Sequence, residues 1–418
     1  MFAMGMRKDY AIIALLICAV TAITIYYLSL VSKWESYEVG ERVKSHLSRS
    51  ESEVAENESP LPDSQDGPID YGDKKTILSW TSLPYVEKYF GLGKTGHFDT
   101  CAGYKECVAT NDRGSLNVSE FKVILFHGNE LRTNDLPAVR GPEQIYVFVN
   151  IDSPMNEPPV DRFFDNFFNM TMTYRLDSDV VWPYGIFRNT DTGETVGPLE
   201  SPIWMEPSYD PMRFITELDF EEKTKLAATF AGGGKTIGGR ESLVEEVRKH
   251  MPVDVVKKDV VGAAYFFHFA FEDSLCRDYV TEIFFDTLRY NVVPVVYGGA
   301  EYKKFAPPHS YVDALDFDSP KSLAEFLIDL SGDREEYLKY FWWKRFYAVE
   351  SATSWTMCNL CDMLDDPSSP VKTYEKLTDW YSKDTCPIQD GLDGGNYATK
   401  KLRAQKEIPK LLEKLRIV

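Results

Sequence analysis

Two acidic strand ends carry most of the chemistry this chain could offer. Phe269-Ala270-Phe271 is apolar enough for a buried strand, and Glu272, Asp273 and Ser274 follow it directly. Val149-Asn150-Ile151-Asp152-Ser153-Pro154 closes a second apolar run and puts Asp152 at that strand's carboxyl end. Parallel α/β sheets bind their ligands at such ends, which makes these carboxylates the first candidates to meet a substrate. Asp-Ser-Pro is also good turn chemistry, a purely structural reading of the same residues. A third candidate is the loop Gly232-Gly233-Gly234-Lys235-Thr236-Ile237-Gly238-Gly239-Arg240, between an apolar and a helical stretch. Backbone N–H groups at such a helix start suit a pyrophosphate. It is not a P-loop, because the position that would need the first glycine is Thr229.

The elements that must position these groups follow from the apolar pattern. A helix is expected from about Asp278 to Tyr290, and Val292–Tyr297 reads as a buried strand ended by Gly298-Gly299. With Phe269–Phe271 they form a βαβ unit of a parallel sheet. Upstream, Thr76–Trp80, Val123–Phe126 and Gln144–Asn150 read as buried strands of a first domain over residues 76–215. Leu226–Ala231, a helix over about Glu241–His250, Val253–Val256 and a helix to about Leu330, capped by Asp318 or Ser319, belong to a second over residues 216–370. Residues 371–418 are read as a C-terminal extension. The sequence supports two α/β units.

The stretch from Phe271 to Gly298 resembles the donor-sugar signature of the α1,3-fucosyltransferases, glycosyltransferase family 10. The match runs through Phe271, Glu272, Ser274, Cys276, Asp278, Tyr279, Val280, Thr281 and Glu282, then Val293, Pro294, Val295, Val296 and Gly298. Phe168-Asn169-Met170-Thr171, Tyr174-Arg175, Asp177-Ser178-Asp179 and Pro183-Tyr184-Gly185 are similar to the family's acceptor-domain pattern. The resemblance implies a GT-B fold, two Rossmann-like domains facing a cleft. It implies inverting transfer of L-fucose from GDP-β-L-fucose to an N-acetylglucosamine-containing glycan on a glycoprotein or glycolipid, with an α1,3 linkage expected. Asp152 stands where the family has a glutamate general base, its carboxylate withdrawn by one methylene, ~1.5 Å. Arg240, Glu272, Asp273, Tyr279 and Glu282 fall at donor-binding positions. Two donor positions depart from the pattern: Asp273 replaces an asparagine, and Ile283 replaces a lysine that would offset charge on departing GDP. Lys235 is the cation expected to compensate. These departures motivate an alternative, a catalytically weak or inactive Golgi paralogue that binds glycan or nucleotide. The D-x-D triplet at Asp177–Asp179 has the form found in metal-dependent sugar transferases, but lies within a pattern whose fold does not use it for metal. No metal ligand is assigned and no cofactor is required, with divalent-cation stimulation left open.

The remaining features bear on compartment. A net charge of −19 over 418 residues argues against a nucleic-acid partner. Tyr10 to Val31 carries no charge and, at ~1.5 Å per residue, is long enough to cross a bilayer. Arg7 and Lys8 precede it, which puts the short tail in the cytosol and the rest in the lumen. The expectation is a single-pass type II Golgi membrane protein: tail 1–9, signal anchor 10–31, and an acidic, Ser- and Pro-rich stem over 32–75. A cleaved signal peptide is the other reading of the apolar run. Asn57, Asn117 and Asn169 each begin an Asn-x-Ser/Thr glycosylation sequon. Lumenal cysteines favour disulfides, with Cys101, Cys107, Cys358, Cys361 and Cys386 as candidates. Cys276, inside the donor motif, is expected to stay a free buried thiol, leaving one of the five unpaired.

Overall fold

The computed structural model describes residues 71–81, 98, 101, 107–156, 161–207, 220–230, 236–256, 264–365, 372–383 and 385–386. The anchor and most of the stem, Asn57 and Lys235 lie outside the described residues. Among the described residues, no helix is long and apolar enough to cross a membrane.

The first sheet is built from β1 (Lys75–Ser79), β2 (Cys107–Thr110), β3 (Val123–His127), β4 (Ile145–Asn150), β5 (Met170–Thr173) and β6 (Val180–Val181). They run in the order β2-β1-β3-β4-β5-β6 with parallel pairing throughout. A small antiparallel sheet contains β7 (Gly185–Asn189) and β8 (Thr195–Gly197). The second parallel sheet comprises β9 (Lys225–Phe230), β10 (Val253–Val256), β11 (Tyr265–Phe271), β12 (Val293–Tyr297) and β13 (Val312–Asp313), in the order β10-β9-β11-β12-β13. β14 (Tyr347–Ser351) returns to pair with β7. In both parallel sheets the second strand lies outside the first and the third continues on its other side. The crossover point of such a sheet is where ligands bind, at the carboxyl ends.

The continuous apolar runs are explained by burial on both faces of these strands. Phe267, Val293 and Val295 are fully buried in the second sheet, as are Ile77, Val123 and Val147 in the first. Each such side chain contributes ~1.5–3 kcal/mol relative to exposure.

Helices pack on these sheets. α1 (Arg240–Val247) follows the glycine loop, and α2 (Glu282–Arg289) joins β11 to β12. α2 starts four residues later than the sequence predicts. Asp278 adopts a left-handed backbone (φ 62°) and Thr281 is extended, so the chain between them is a loop. α3 (Pro320–Gly332) begins as expected at Ser319, whose hydroxyl accepts from Ser322 N in a capping box. α4 (Arg334–Leu338) follows it. α5 (Thr353–Asp365) packs Met357, Leu360 and Cys361 against Ile77, Val123 and Val147 of the first sheet. α6 (Leu377–Ser382) also reaches that sheet, through Leu377 and Tyr381.

Three disulfides fasten the chain: Cys101–Cys358, Cys107–Cys361 and Cys276–Cys386. The expectation of a free Cys276 is therefore corrected. Its partner is 110 residues downstream, and the bond ties the loop after β11 to the C-terminal strap. Cys358 and Cys361, three apart on α5, each take a separate partner near the start of the first sheet.

Candidate active site

Asp152 stands just beyond β4. Asn150 begins the turn, its Oδ1 accepting from Asp152 N at 3.0 Å. Three donors converge on one oxygen of the Asp152 carboxylate. Oδ1 accepts from Ser153 N at 2.8 Å, Asn156 Nδ2 at 2.9 Å and Tyr279 Oη at 2.9 Å. Among the described residues, no hydrogen bond reaches Oδ2. Burial raises the carboxyl's pKa and the neighbouring Asp273 charge adds to this, while the hydrogen bonds from Asn156, Tyr279 and Ser153 oppose it. A carboxylate held by one oxygen, with the other unbonded and its proton affinity raised, suits proton abstraction.

The second sheet supplies the opposite side. Glu272 continues β11, its N–H donating to Tyr297 O at 2.9 Å. Its carboxyl is buried: Oε1 accepts from Thr281 N at 2.9 Å, and Oε2 has no hydrogen-bond partner among the described residues. Burial is the main cause that pushes this carboxyl up to about 8, with the charges of Asp273 and Glu282 adding to it. It is thus largely protonated at neutral pH, a neutral donor where a carboxylate would be expected. A Cβ on Gly298 would lie 2.3 Å from Tyr302 Oη and 3.3 Å from Glu272 Cγ, so the glycine is what lets these groups sit side by side.

Tyr279 is buried edge-on against Tyr174 and Tyr184, with ring centroids 5.1 and 6.4 Å away. Tyr184 Oη donates to Ile151 O at 2.9 Å and so braces the Asp152 turn from behind. Gly238, near the C-terminal end of the glycine loop, donates its N–H to Asp273 O at 2.6 Å. Arg240 opens α1 and donates from Nη1 to Phe271 O at 3.0 Å and from Nε to Glu241 Oε1 at 3.1 Å. Arg240, Glu272 and Asp273 are therefore brought together at the carboxyl end of β11. Glu282 is half-buried at the first turn of α2, and Ile283 packs against the apolar cluster around Phe284 and Phe285.

Other sequence candidates serve the framework. Asp177 is paired with Arg175 at 2.7 Å and Arg277 at 2.9 Å. Asp179 accepts from Thr171 N and Tyr374 Oη, both at 2.8 Å, and pairs with Lys372 at 2.7 Å. Among the described residues, no group of three or more His, Cys, Asp or Glu is arranged to hold a metal ion. Asn117 is exposed, as a glycan carrier must be. Asn169 is not: it is buried, its Oδ1 accepts from Tyr146 N, and its Nδ2 donates to Lys372 O at 3.2 Å. The amide a glycan would require is committed inside the protein, which corrects that expectation.

Sequence reasoning missed Asn156, the Ser153–Ser274 hydroxyl pair at 2.6 Å, and Tyr381, which hydrogen-bonds the Asp152 carbonyl. The Asp-Ser-Pro turn hinted at Asn156 alone, since a turn starting at Ser153 brings its fourth residue, Asn156, back to Ser153 O at 3.1 Å.

Comparison with known proteins identifies the family of the chain. The family model "Fucosyltransferase, N-terminal" matches residues 72–185, and "Glycosyltransferase family 10 (fucosyltransferase) C-term" matches residues 220–380. Alpha-(1,3)-fucosyltransferase C of Drosophila melanogaster is 35% identical over 341 residues, covering 76% of this chain and 77% of that one. The 4-galactosyl-N-acetylglucosaminide 3-alpha-L-fucosyltransferase FUT6 of Pongo pygmaeus is 30% identical, covering 77% of this chain and 87% of its own. Among solved structures, an alpha1,3-fucosyltransferase crystallised with GDP-fucose aligns with a TM-score of 0.46 at 14% identity, over 76% of this chain and 96% of that one. With both halves of its fold matched and relatives aligned across most of their length, the chain belongs to glycosyltransferase family 10 and is a fucosyltransferase.

Proposed function

We propose that the chain transfers L-fucose, with inversion, from GDP-β-L-fucose to a hydroxyl of an N-acetylglucosamine-containing glycan, forming an α1,3 linkage. Asp152 Oδ2 takes the proton of the acceptor hydroxyl as that oxygen attacks the fucose anomeric carbon. The bond from that carbon to the β-phosphate oxygen breaks, and GDP leaves with the electron pair. Arg240, Glu272, Tyr279 and Glu282 hold the donor. Glu272, its carboxyl pushed towards the neutral form by burial, adds little negative charge beside the diphosphate. The observation that carries this reading is Asp152 itself, fixed through Oδ1 by three donors while Oδ2 takes none among the described residues, with Tyr279 of the second domain as one of the three. The α1,3 linkage and the glycan acceptor are supported by the names of the relatives.

The protein acts in the Golgi as a type II membrane protein with its catalytic domains in the lumen. Support comes from the uncharged run at 10–31 and from three disulfides, which persist in oxidising compartments.

The test is incubation of the purified full-length protein with GDP-fucose and a panel of N-acetyllactosamine, LacdiNAc and N-glycan-core acceptors, with the product linkage and anomeric configuration read by NMR. An α1,3-linked fucose is expected. A β-linked product would rule out inversion, and absence of transfer to the whole panel would rule out this acceptor class.

A further inference from the structure

The Asn156 side chain lies between two carboxylates from different domains. Its Nδ2 donates to Asp152 Oδ1 at 2.9 Å and to Asp273 Oδ1 at 3.0 Å. A primary amide has two N–H donors, and here each carboxylate takes one. Asp152 follows β4 of the first sheet and Asp273 follows β11 of the second, so one amide joins the carboxyl ends of both sheets. Beside it the hydroxyls of Ser153 and Ser274 make a second link at 2.6 Å, and Ser274 Oγ also donates to Asp273 Oδ1 at 3.1 Å.

The two accepting oxygens are thus no more than ~6 Å apart, close enough for the charge of Asp273 to raise the affinity of Asp152 for a proton. The donor they share opposes that effect and favours the ionised form of Asp152. The groups facing this region are Glu272 and Glu282, together with Tyr174, Tyr184 and Tyr279, whose pKa values burial raises. Glu272 is itself mostly protonated at neutral pH. Among the described residues, Asp273 is the carboxylate that shares a donor with Asp152.

We propose that Asn156 and Asp273 are positioning residues for Asp152: the amide, anchored on Asp273, fixes the pose of its carboxylate across the cleft. The charge of Asp273 adds to the effect of burial on that carboxylate. The inference rests on the reading of Asp152 as the base. It turns the side chain of Asp273 towards the acceptor chemistry and away from donor binding. A misplacement of ~1 Å at a reacting group can cost about 10²-fold in rate, so an aspartate with a short reach gains from being held at both ends of its turn.

The test separates charge from geometry. Asp273→Asn removes the charge but keeps an oxygen that accepts from Asn156. Asn156→Ala removes the bridge but keeps both charges. In full-length protein carrying 13C-labelled aspartate carboxyls, with the Asp152 signal assigned by its loss in Asp152→Asn, the titration midpoint of Asp152 is read directly. Asp273→Asn is expected to lower it, and Asn156→Ala to raise it, each by roughly 0.5–1 pH unit. The acid limb of kcat/KM should move in the same directions, with GDP affinity changed less than about threefold. Midpoints that stay in place in both variants overturn the proposal, as does an effect of Asp273→Asn confined to GDP affinity. If the midpoints shift but the acid limb of transfer does not follow, the coupling stands and the assignment of Asp152 as base fails.

Discussion

Tyr381 donates its phenolic hydrogen bond to the backbone carbonyl of Asp152, although 229 positions separate the two residues. The C-terminal strap therefore reaches back to hold the turn that carries the proposed base. The same strap is secured by Arg277 N donating to Thr385 O at 2.7 Å, by Arg175 stacked 4.2 Å over the Trp380 ring, and by the Cys276–Cys386 disulfide.

Tyr381→Phe keeps the packing of the ring against Phe148 and removes only the hydroxyl. A lost buried hydrogen bond is worth ~1–1.5 kcal/mol, so kcat is expected to fall about tenfold. Affinity for GDP should stay within about twofold. Steady-state kinetics with isothermal titration of GDP checks this, and a loss of GDP affinity with kcat intact would contradict it.

Cys276→Ser with Cys386→Ser releases the strap while leaving the other two disulfides in place. Removing a native cross-link typically costs ~2–5 kcal/mol. A fall of that size in urea-unfolding stability is expected, with slower transfer from the protein that remains folded. Unchanged stability and rate would mean that the strap holds by its other contacts alone.

How much of this was legible in the sequence depended on the range of the interaction. Val292–Tyr297 and Gln144–Asn150 read as buried strands because local apolar runs specify them, and β12 and β4 fill all but the first residue of each; Glu272 and Asp152 then follow from strand polarity. The Ser319 cap was readable because its partner Ser322 is three residues away. Nothing local marks Cys386 as the partner of Cys276, or Tyr381 as a neighbour of Asp152, since chain closure alone brings them together. α2 was begun too early because the propensity of Asp278–Thr281 does not reveal the left-handed backbone at Asp278. Asn169 carries a sequon, but its burial under Arg140 and Lys372 is a tertiary fact.

Glu272 makes stability depend on pH. Burial lifts the folded carboxyl from its ordinary 4.5 to about 8. Between those values the folded protein holds a proton that the unfolded chain has lost. The contribution of Glu272 is complete below about pH 4.5 and is lost as pH rises through about 8. Tm should therefore decline across that interval, and Glu272→Gln, neutral throughout, should flatten the decline. A variant with the same slope as the parent would show that other groups are responsible.

Gly238 has no room for a side chain. A Cβ there would meet Asp273 O at 2.7 Å and Glu272 O at 3.2 Å, both backbone atoms. Gly238→Ala must push the glycine loop off the end of β11, at a cost of ~1–3 kcal/mol. GDP affinity is expected to fall roughly tenfold, the equivalent of ~1.4 kcal/mol. Fluorescence or calorimetric titration with GDP decides it, and unaltered affinity would detach this loop from donor binding.

The most direct test of the account is the rate of fucose transfer by Asp152→Asn beside the parent protein, at saturating GDP-fucose and acceptor. The amide keeps the size of the side chain and an oxygen to accept from Ser153, Asn156 and Tyr279, but cannot take a proton. With Asp152 as base, kcat falls by about 10²–10⁴-fold while GDP still binds. Transfer within a few-fold of the parent would contradict the account and move the base elsewhere in the cleft.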